Sequence, residues 1–267
     1  MQVLLLGTGA ADGWPNAFCR CPSCLDARQH RVLRTPTAAL VDGRLLLDCG
    51  PEVPRQALRA GGDLADITTV LVTHAHDDHL APAFLMHRRW VTDRPLRVIG
   101  PTPVIARCRE WLAPDQSEIT LTEVTAGDRL DIDGYHVHVL PAAHEAFGEA
   151  VLYALGAADE QGARALLYAT DTGPWLPPAL ELMSGWRFDI VLLEETFGDR
   201  VLLPEVHHGL TTFGDGVAAL RRLGLVGDRT RVIAVHLSHD NPPLAELQRR
   251  LAEVGAEALP DLTTVVV

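Results

Sequence analysis

The segment Thr69-Val70-Leu71-Val72-Thr73 runs directly into His74-Ala75-His76-Asp77-Asp78-His79. The first five residues are β-branched or aliphatic and predict a strand buried on both faces. The next six carry four potential metal ligands, His74, His76, Asp78 and His79. They lie just past the C-terminal end of the strand, where α/β sheets commonly place their sites. Side chains alternate along an extended chain, so His74 and His76 project to one side. Asp78 and His79 follow as the chain turns and can address a second, adjacent position. Imidazole together with carboxylate suits Zn, Mn or Fe.

Around this stretch the chain alternates strands and helices. Strands are predicted over Val3–Gly7, Thr69–Thr73, Ile119–Val124, Arg129–Ile132, Tyr135–Leu140, Ala150–Leu155, Ala165–Thr170, Phe188–Glu194, Arg231–His236 and Leu262–Val267. Ala38–Asp48 reads as a hairpin turning at Asp42-Gly43. Helices are predicted over Glu52–Ala60, Pro82–Trp90, Pro103–Leu112, Phe213–Leu223 and Leu244–Val254. Hairpin strands followed by strands alternating with helices point to an α/β fold of two mixed sheets with helices outside. A single domain over residues 1–267 is expected. Gly7-Thr8-Gly9 after the first strand is no dinucleotide fingerprint, because the third glycine is misplaced and a cysteine cluster follows instead of a helix.

Composition narrows the chemistry. Of 267 residues, 35 are acidic and 23 basic, a formal charge of −12, which disfavours a long nucleic-acid partner. A small phosphate ester at a metal centre remains compatible, since the ion dominates the local field. Every basic residue is arginine, and the missing lysine excludes Schiff-base and P-loop lysine chemistry. No apolar run approaches the roughly 18 residues of a membrane helix. The N-terminus reads as a strand and not as a signal peptide, so a cytoplasmic location is the default expectation.

Further candidates stand at strand ends: His144 after Tyr135–Leu140, Asp171 in Thr170-Asp171-Thr172-Gly173, and His236. A carboxylate such as Asp171 can bridge two cations and lower their mutual repulsion. His74-Ala75-His76-Asp77-Asp78-His79 resembles the HxHxDH signature of the metallo-β-lactamase superfamily. His144, Asp171 and His236 fall in the order of that superfamily's later motifs. The resemblance spans nearly the whole chain and implies an αββα sandwich with a binuclear centre at one edge between the sheets. It implies that His74, His76 and His144 hold one metal, that Asp78, His79 and His236 hold the other, and that Asp171 bridges. Asp78 thereby also counts among the catalytic residues. Asp48 in Leu47-Asp48-Cys49-Gly50 resembles an early Asp-x-Gly element that orients the ligand loop.

Cys19-Arg20-Cys21-Pro22-Ser23-Cys24 supplies three thiols in six residues, within a Cys-rich loop at about 8–26. With no signal peptide, such a cluster suggests metal before disulfides. A tetrahedral structural zinc needs a fourth ligand, and His239, three residues after His236, is the best candidate. The early Cys-x-Cys-x-x-Cys with the late His236-Leu237-Ser238-His239 is similar to the PhnP-type cyclic phosphodiesterases of the carbon–phosphorus lyase pathway. That resemblance implies hydrolysis of a small cyclic phosphodiester, phosphoribosyl 1,2-cyclic phosphate or a 2′,3′-cyclic nucleotide, by water activated between two cations (Mn, Zn or Fe), beside one structural zinc. A homodimer is a family-level expectation. Glu205-Val206-His207-His208-Gly209-Leu210-Thr211 resembles the segment with that family's general-acid histidine, which makes His207, or else His208, the proton donor. His136 and His138 read as ordinary strand residues, and Glu194 or Glu195 as a residue behind the ligands or a strand-end cap. Two rival readings are a tRNA 3′-end nuclease, which shares the histidine signature, and a PqqB-like cofactor-biosynthesis accessory protein, which shares the early cysteines. β-Lactam hydrolysis fits poorly with Asp78 and a bridging Asp171.

Overall fold

The computed structural model describes residues 1–112, 117–144, 148–159 and 162–267. The chain runs β1 (Gln2–Gly7), α1 (Pro22–Gln29), β2 (Ala38–Val41), β3 (Leu45–Leu47), α2 (Val53–Arg59), β4 (Thr69–Leu71), α3 (Ala83–Arg89), β5 (Leu96–Gly100), α4 (Thr102–Arg109) and β6 (Ile119–Glu123). It continues through β7 (Arg129–Ile132), β8 (Tyr135–Pro141), β9 (Val151–Asp159), β10 (Gly162–Ala169), α5 (Pro177–Leu182), β11 (Ile190–Glu194), α6 (Leu210–Arg222), β12 (Arg231–Val235), α7 (Leu244–Glu253) and β13 (Thr264–Val266).

Two sheets form. One has the order β13-β1-β2-β3-β4-β5-β6, the other β12-β11-β10-β9-β8-β7. Their facing sides share an apolar core that includes Leu5, Leu47, Leu71, Val137, Tyr153, Tyr168 and Ile190. A second apolar cluster joins the outer face of the first sheet to α2, α3 and α4, through residues such as Val70, Val98, Phe84 and Val104. A third joins the other sheet to α6 and α7, through Leu167, Val191, Phe213, Val217 and Leu247. The resulting layers are helix, sheet, sheet, helix. β3, β4, β5 and β6 are parallel neighbours, as are β10, β11 and β12. The C-terminal ends of β3 and β4 therefore open on one edge, and so do those of β10 and β12.

Most predicted elements are present with ends shifted by a few residues. Asp42 (φ 46°) and Gly43 (φ 71°) turn the β2–β3 hairpin, as their sequence demands. Three elements went unread. β5 is five residues between Pro95 and Pro101, too short for a periodic signal. α5 begins with two prolines, which suit a helix start but read as loop. α1 lies where a loop to about residue 26 was expected. Pro22 opens it, and the Cys21 sulfur accepts from the Cys24 N–H at 3.4 Å, so the cluster itself caps the helix.

The sheets are tied at the open edge. The Tyr153 hydroxyl, on β9, donates to the Val72 carbonyl at 2.8 Å, and Val151 N–H donates to the Thr73 carbonyl at 3.0 Å. Tyr153 is fully buried. Tyr153→Phe leaves that carbonyl without its donor and is expected to cost about 1–3 kcal/mol, read as a lower urea midpoint at unchanged slope.

Candidate metal centre

Asp48 follows β3, residues 74–79 follow β4, His144 follows β8, Asp171 follows β10 and His236 follows β12. Asp48 (φ 60°), Asp171 (φ 50°) and His236 (φ 57°) all adopt the left-handed conformation, uncommon for residues other than glycine. Each chain reversal turns a side chain back across the strand ends. His236 is held there by its own N–H donating to Thr37 Oγ1 at 3.0 Å.

Ligand atoms of Asp171, Glu194, His207 and His236 lie within 4.8 Å of one another, and the seven expected residues converge as two further donor sets. In one, ligand atoms of His74, His76, His144 and Asp171 lie within 4.8 Å of one another; in the other, those of Asp78, His79 and His236 do. Asp171 faces both sets. Its Oδ1 lies 3.9 Å from His144 Nε2, and its Oδ2 lies 2.8 Å from His79 Nε2 and 3.3 Å from His236 Nε2. Asp78 Oδ2 lies 2.9 Å from His79 Nε2 and 3.5 Å from His236 Nε2. All seven residues expected as ligands are thus brought together.

The opposite ring atoms show how the imidazoles are aimed. His79 Nδ1 donates to Asp48 Oδ2 at 2.7 Å, and His144 Nδ1 donates to the Val206 carbonyl at 3.3 Å. His74 Nδ1 pairs with Thr73 Oγ1 at 3.0 Å and His236 Nδ1 with Thr196 Oγ1 at 2.9 Å. Nε2 of each of these four rings faces the cluster. His76 is reversed: its Nδ1 faces His74 Nε2 at 2.9 Å. Asp48 also accepts from Thr73 N–H at 2.8 Å and from the Tyr168 hydroxyl at 2.9 Å, so a fully buried carboxylate is satisfied on all sides.

These residues fit a divalent cation. His79 Nε2 and His236 Nε2 are buried and make no hydrogen bond, although carboxylate oxygens lie within 3.5 Å of both. Atoms about 2.0–2.2 Å from one shared ion in tetrahedral array stand about 3.3–3.6 Å apart, close to the separations seen. Electrostatics agree. Burial opposes charge on His79, yet Asp78, Asp171 and Asp48 hold it well above the ordinary imidazole range. Burial likewise works against the Asp171 charge, and His236 and His79 hold it well below the carboxylate range. A cation at this point would replace the protons that the buried carboxylates otherwise demand.

The two adjacent histidines separate cleanly. His207 faces the cluster: its ring lies 4.8 Å from that of His144 and stacks at 5.7 Å on that of His236. Its Nδ1 donates to Glu194 Oε2 at 2.7 Å. Burial lowers its basicity, but the Glu194 carboxylate outweighs this and raises it to about 9. His208 is fully buried on the far side, beside Gly216 and Trp175, and its ring makes no hydrogen bond. Glu194 faces inward and also accepts from Thr196 Oγ1 at 3.0 Å, whereas Glu195 accepts from the Gly198 N–H at 2.9 Å and is pushed to about 8 by burial. The sequence left these two glutamates undivided; strand alternation at the end of β11 was the signal available. His136 and His138 stand on β8 and contact Asp131 and Trp186, away from the centre.

Cys19, Cys21 and Cys24 form a separate group within 4.8 Å. The Cys19 thiol is lowered by the Cys21 N–H that it accepts. His239 does not join this group as expected. Its main-chain oxygen lies 3.7 Å from Cys21 Sγ, while its ring Nδ1 pairs with Asp12 Oδ2 at 2.8 Å. Among the described residues the thiol group has three members.

Residues 43–237 match the Beta-lactamase superfamily domain. The chain belongs to the beta-lactamase superfamily. Ribonuclease Z of Mycobacterium sp. (strain KMS) is 30% identical to this superfamily member over 195 residues, 65% of this chain and 62% of that one. The chain spans less than two thirds of the length of the first curated relatives it matches. Among solved structures, a new diphosphatase from the PhnP family superposes with a TM-score of 0.75 at 21% identity, covering 99% of this chain and 96% of that one. Zn(2+)-bound PqqB from Methylobacterium extorquens superposes with a TM-score of 0.78 at 21% identity over 100% of both chains. At such identities these two share the fold. The metallo-β-lactamase sandwich expected from the sequence is therefore present, and its fold together with the donor clusters implies divalent metal.

Asp48→Asn removes one acceptor behind His79. Changes to such partners typically cost about 10–100-fold in metal affinity, and that loss is expected in chelator competition with the fold intact by circular dichroism.

Proposed function

We propose that the protein is a phosphoric diester hydrolase acting on a small cyclic phosphodiester with two divalent cations. The observation that carries this reading is Asp171, whose two oxygens face two separate donor sets. His74, His76, His144 and Asp171 would hold one cation, and Asp78, His79, His236 and Asp171 the other. Cations there supply a nucleophile from water at neutral pH and offset charge on phosphate oxygens. Mn, Zn and Fe all suit these N and O donors.

The rest falls to the chain's own groups. Asp48 fixes the His79 tautomer, and Thr196 orients His236. Glu194 takes the Nδ1 proton of His207 in a hydrogen bond and favours the charged ring. Nε2 of His207 is then the atom that delivers a proton to the departing sugar oxygen. His207 also lines a crevice with Val201, Leu202, Pro204, Gly209 and Thr211. The similar PhnP-family protein is described as a diphosphatase, and attack of water on phosphorus is the chemistry that would be common to both. The ribonuclease Z likeness favours RNA as substrate. The formal charge of −12 argues against it. The complete donor sets argue against a binding-only role of the PqqB kind. Cys19, Cys21 and Cys24 would hold a structural zinc in the N-terminal loop, which Cys21 Sγ ties to the His239 carbonyl oxygen at 3.7 Å.

The wild-type protein is expected to hydrolyse bis-p-nitrophenyl phosphate and a cyclic ribose phosphate. His207→Ala should lose about 10²–10⁴-fold on alkoxide leaving groups and far less on p-nitrophenolate, which departs unprotonated. Equal losses on both would reject His207 as the proton donor.

A further inference from the structure

The motif His74-Ala75-His76-Asp77-Asp78-His79 contains one charged residue that no donor set uses. Asp77 lies outside both groups, and its side chain is 88% exposed. Its partner is Arg107, on α4. Arg107 Nη2 donates to Asp77 Oδ1 at 2.6 Å, and its Nη1 donates to the main-chain oxygen of Ala75. One guanidinium thus spans the turn that carries His74 and His76.

The two halves of the ligand loop are held by different elements. Residues 78–81 lie against 48–50: Cys49 N–H donates to the His79 carbonyl and Ala81 N–H to the Cys49 carbonyl, both at 2.8 Å. A Cβ on Gly50 would stand 1.9 Å from the Asp78 carbonyl oxygen, so the backbones there touch. The second half holds the first at the His76 carbonyl, which accepts from His79 N–H at 3.1 Å and Leu80 N–H at 2.9 Å. Among the described residues, Arg107 is the donor to the Ala75 oxygen. Its own position is fixed, because α4 packs tightly where β4 ends: a Cβ on Gly100 would meet Val104 at 2.7 Å and the Val72 oxygen at 3.0 Å.

The geometry points to Arg107 and Asp77 as a positioning pair for the first donor set. The inference rests on the metal centre proposed above. The Ala75 carbonyl and the His76 N–H share one peptide plane, so gripping the oxygen fixes the plane from which His76 springs. His76 offers Nδ1, the ring atom nearer its own backbone, so a tilt of that plane is poorly corrected by side-chain rotation. Asp77 neutralises the guanidinium beside a cation site, where a free positive charge would repel the ion. Lysine cannot replace the planar fork that reaches a carbonyl and a carboxylate together.

The test uses the loaded protein, dialysed against a graded chelator with bound metal counted by mass spectrometry. In Arg107→Met, one of the two cluster cations should leave at a chelator concentration at least ten-fold below wild type, the other leaving as in wild type. Arg107→Lys should fall between. Asp77→Asn, which keeps the Ala75 contact, should shift less than Arg107→Met. The urea midpoint of the chelated protein should not move. Release of both cations together, no shift, or a lowered midpoint would overturn the pairing. A loaded wild-type protein that hydrolyses no diester would sink the proposed function and leave this inference standing. A wild-type protein that takes up no cation at the cluster would sink both.

Discussion

The carboxylate of Asp171 is the constraint on which the centre turns. It is buried between two groups of imidazoles, with Oδ1 toward His144 and Oδ2 toward His79 and His236. Asp48, Asp78 and Glu194 bring further negative charge into the same space. Burying four acids is costly unless each is paired or coordinates a metal. Asp48 and Glu194 are satisfied by hydrogen bonds from His79, Thr73, Tyr168, Thr196 and His207. Asp78 and Asp171 instead meet ring nitrogens that make no hydrogen bond with them. Divalent ions resolve that conflict more simply than protons do.

The sandwich exists, in this view, to hold strand ends in register. Parallel pairing of β3 with β4 sets Asp48 beside the ligand loop, and parallel pairing of β10, β11 and β12 sets Asp171, Glu194 and His236 side by side. Tyr153 and Val151 then fasten one sheet edge to the other, so the two halves of the donor set cannot drift apart. Left-handed backbone at Asp48, Asp171 and His236 does the final aiming. Strain of this kind persists only where neighbours overdetermine it, which is what the surrounding hydrogen bonds do.

Much of this was legible in the residues themselves. The run from Thr69 to His79 announced strand, loop and donors together, because a buried β-branched stretch ending in clustered histidines has few other meanings. Asp171 and His236 were legible as strand-end residues, and His144 as one just beyond. The order of His207 and His208 was not, since neighbours in a loop carry no periodicity; only the fold decides which ring faces inward. The role of Glu194 depended on that same choice. α1 stayed hidden because its N-cap is a cysteine sulfur, and no capping signal of the usual hydroxyl or carboxylate kind precedes it. His239 is a different case, because its backbone and its ring have separate partners. Proximity in sequence to His236 brought its backbone to Cys21, while its ring found Asp12.

A crystal of the protein grown with Zn(II) or Mn(II) and measured on both sides of the metal's absorption edge puts the account to its hardest trial. Anomalous density is expected as two peaks about 3.5–4 Å apart, one among His74, His76 and His144, the other among Asp78, His79 and His236, with Asp171 between them. A single peak, or ions bound only at the cysteines while the histidine cluster holds none, would contradict it.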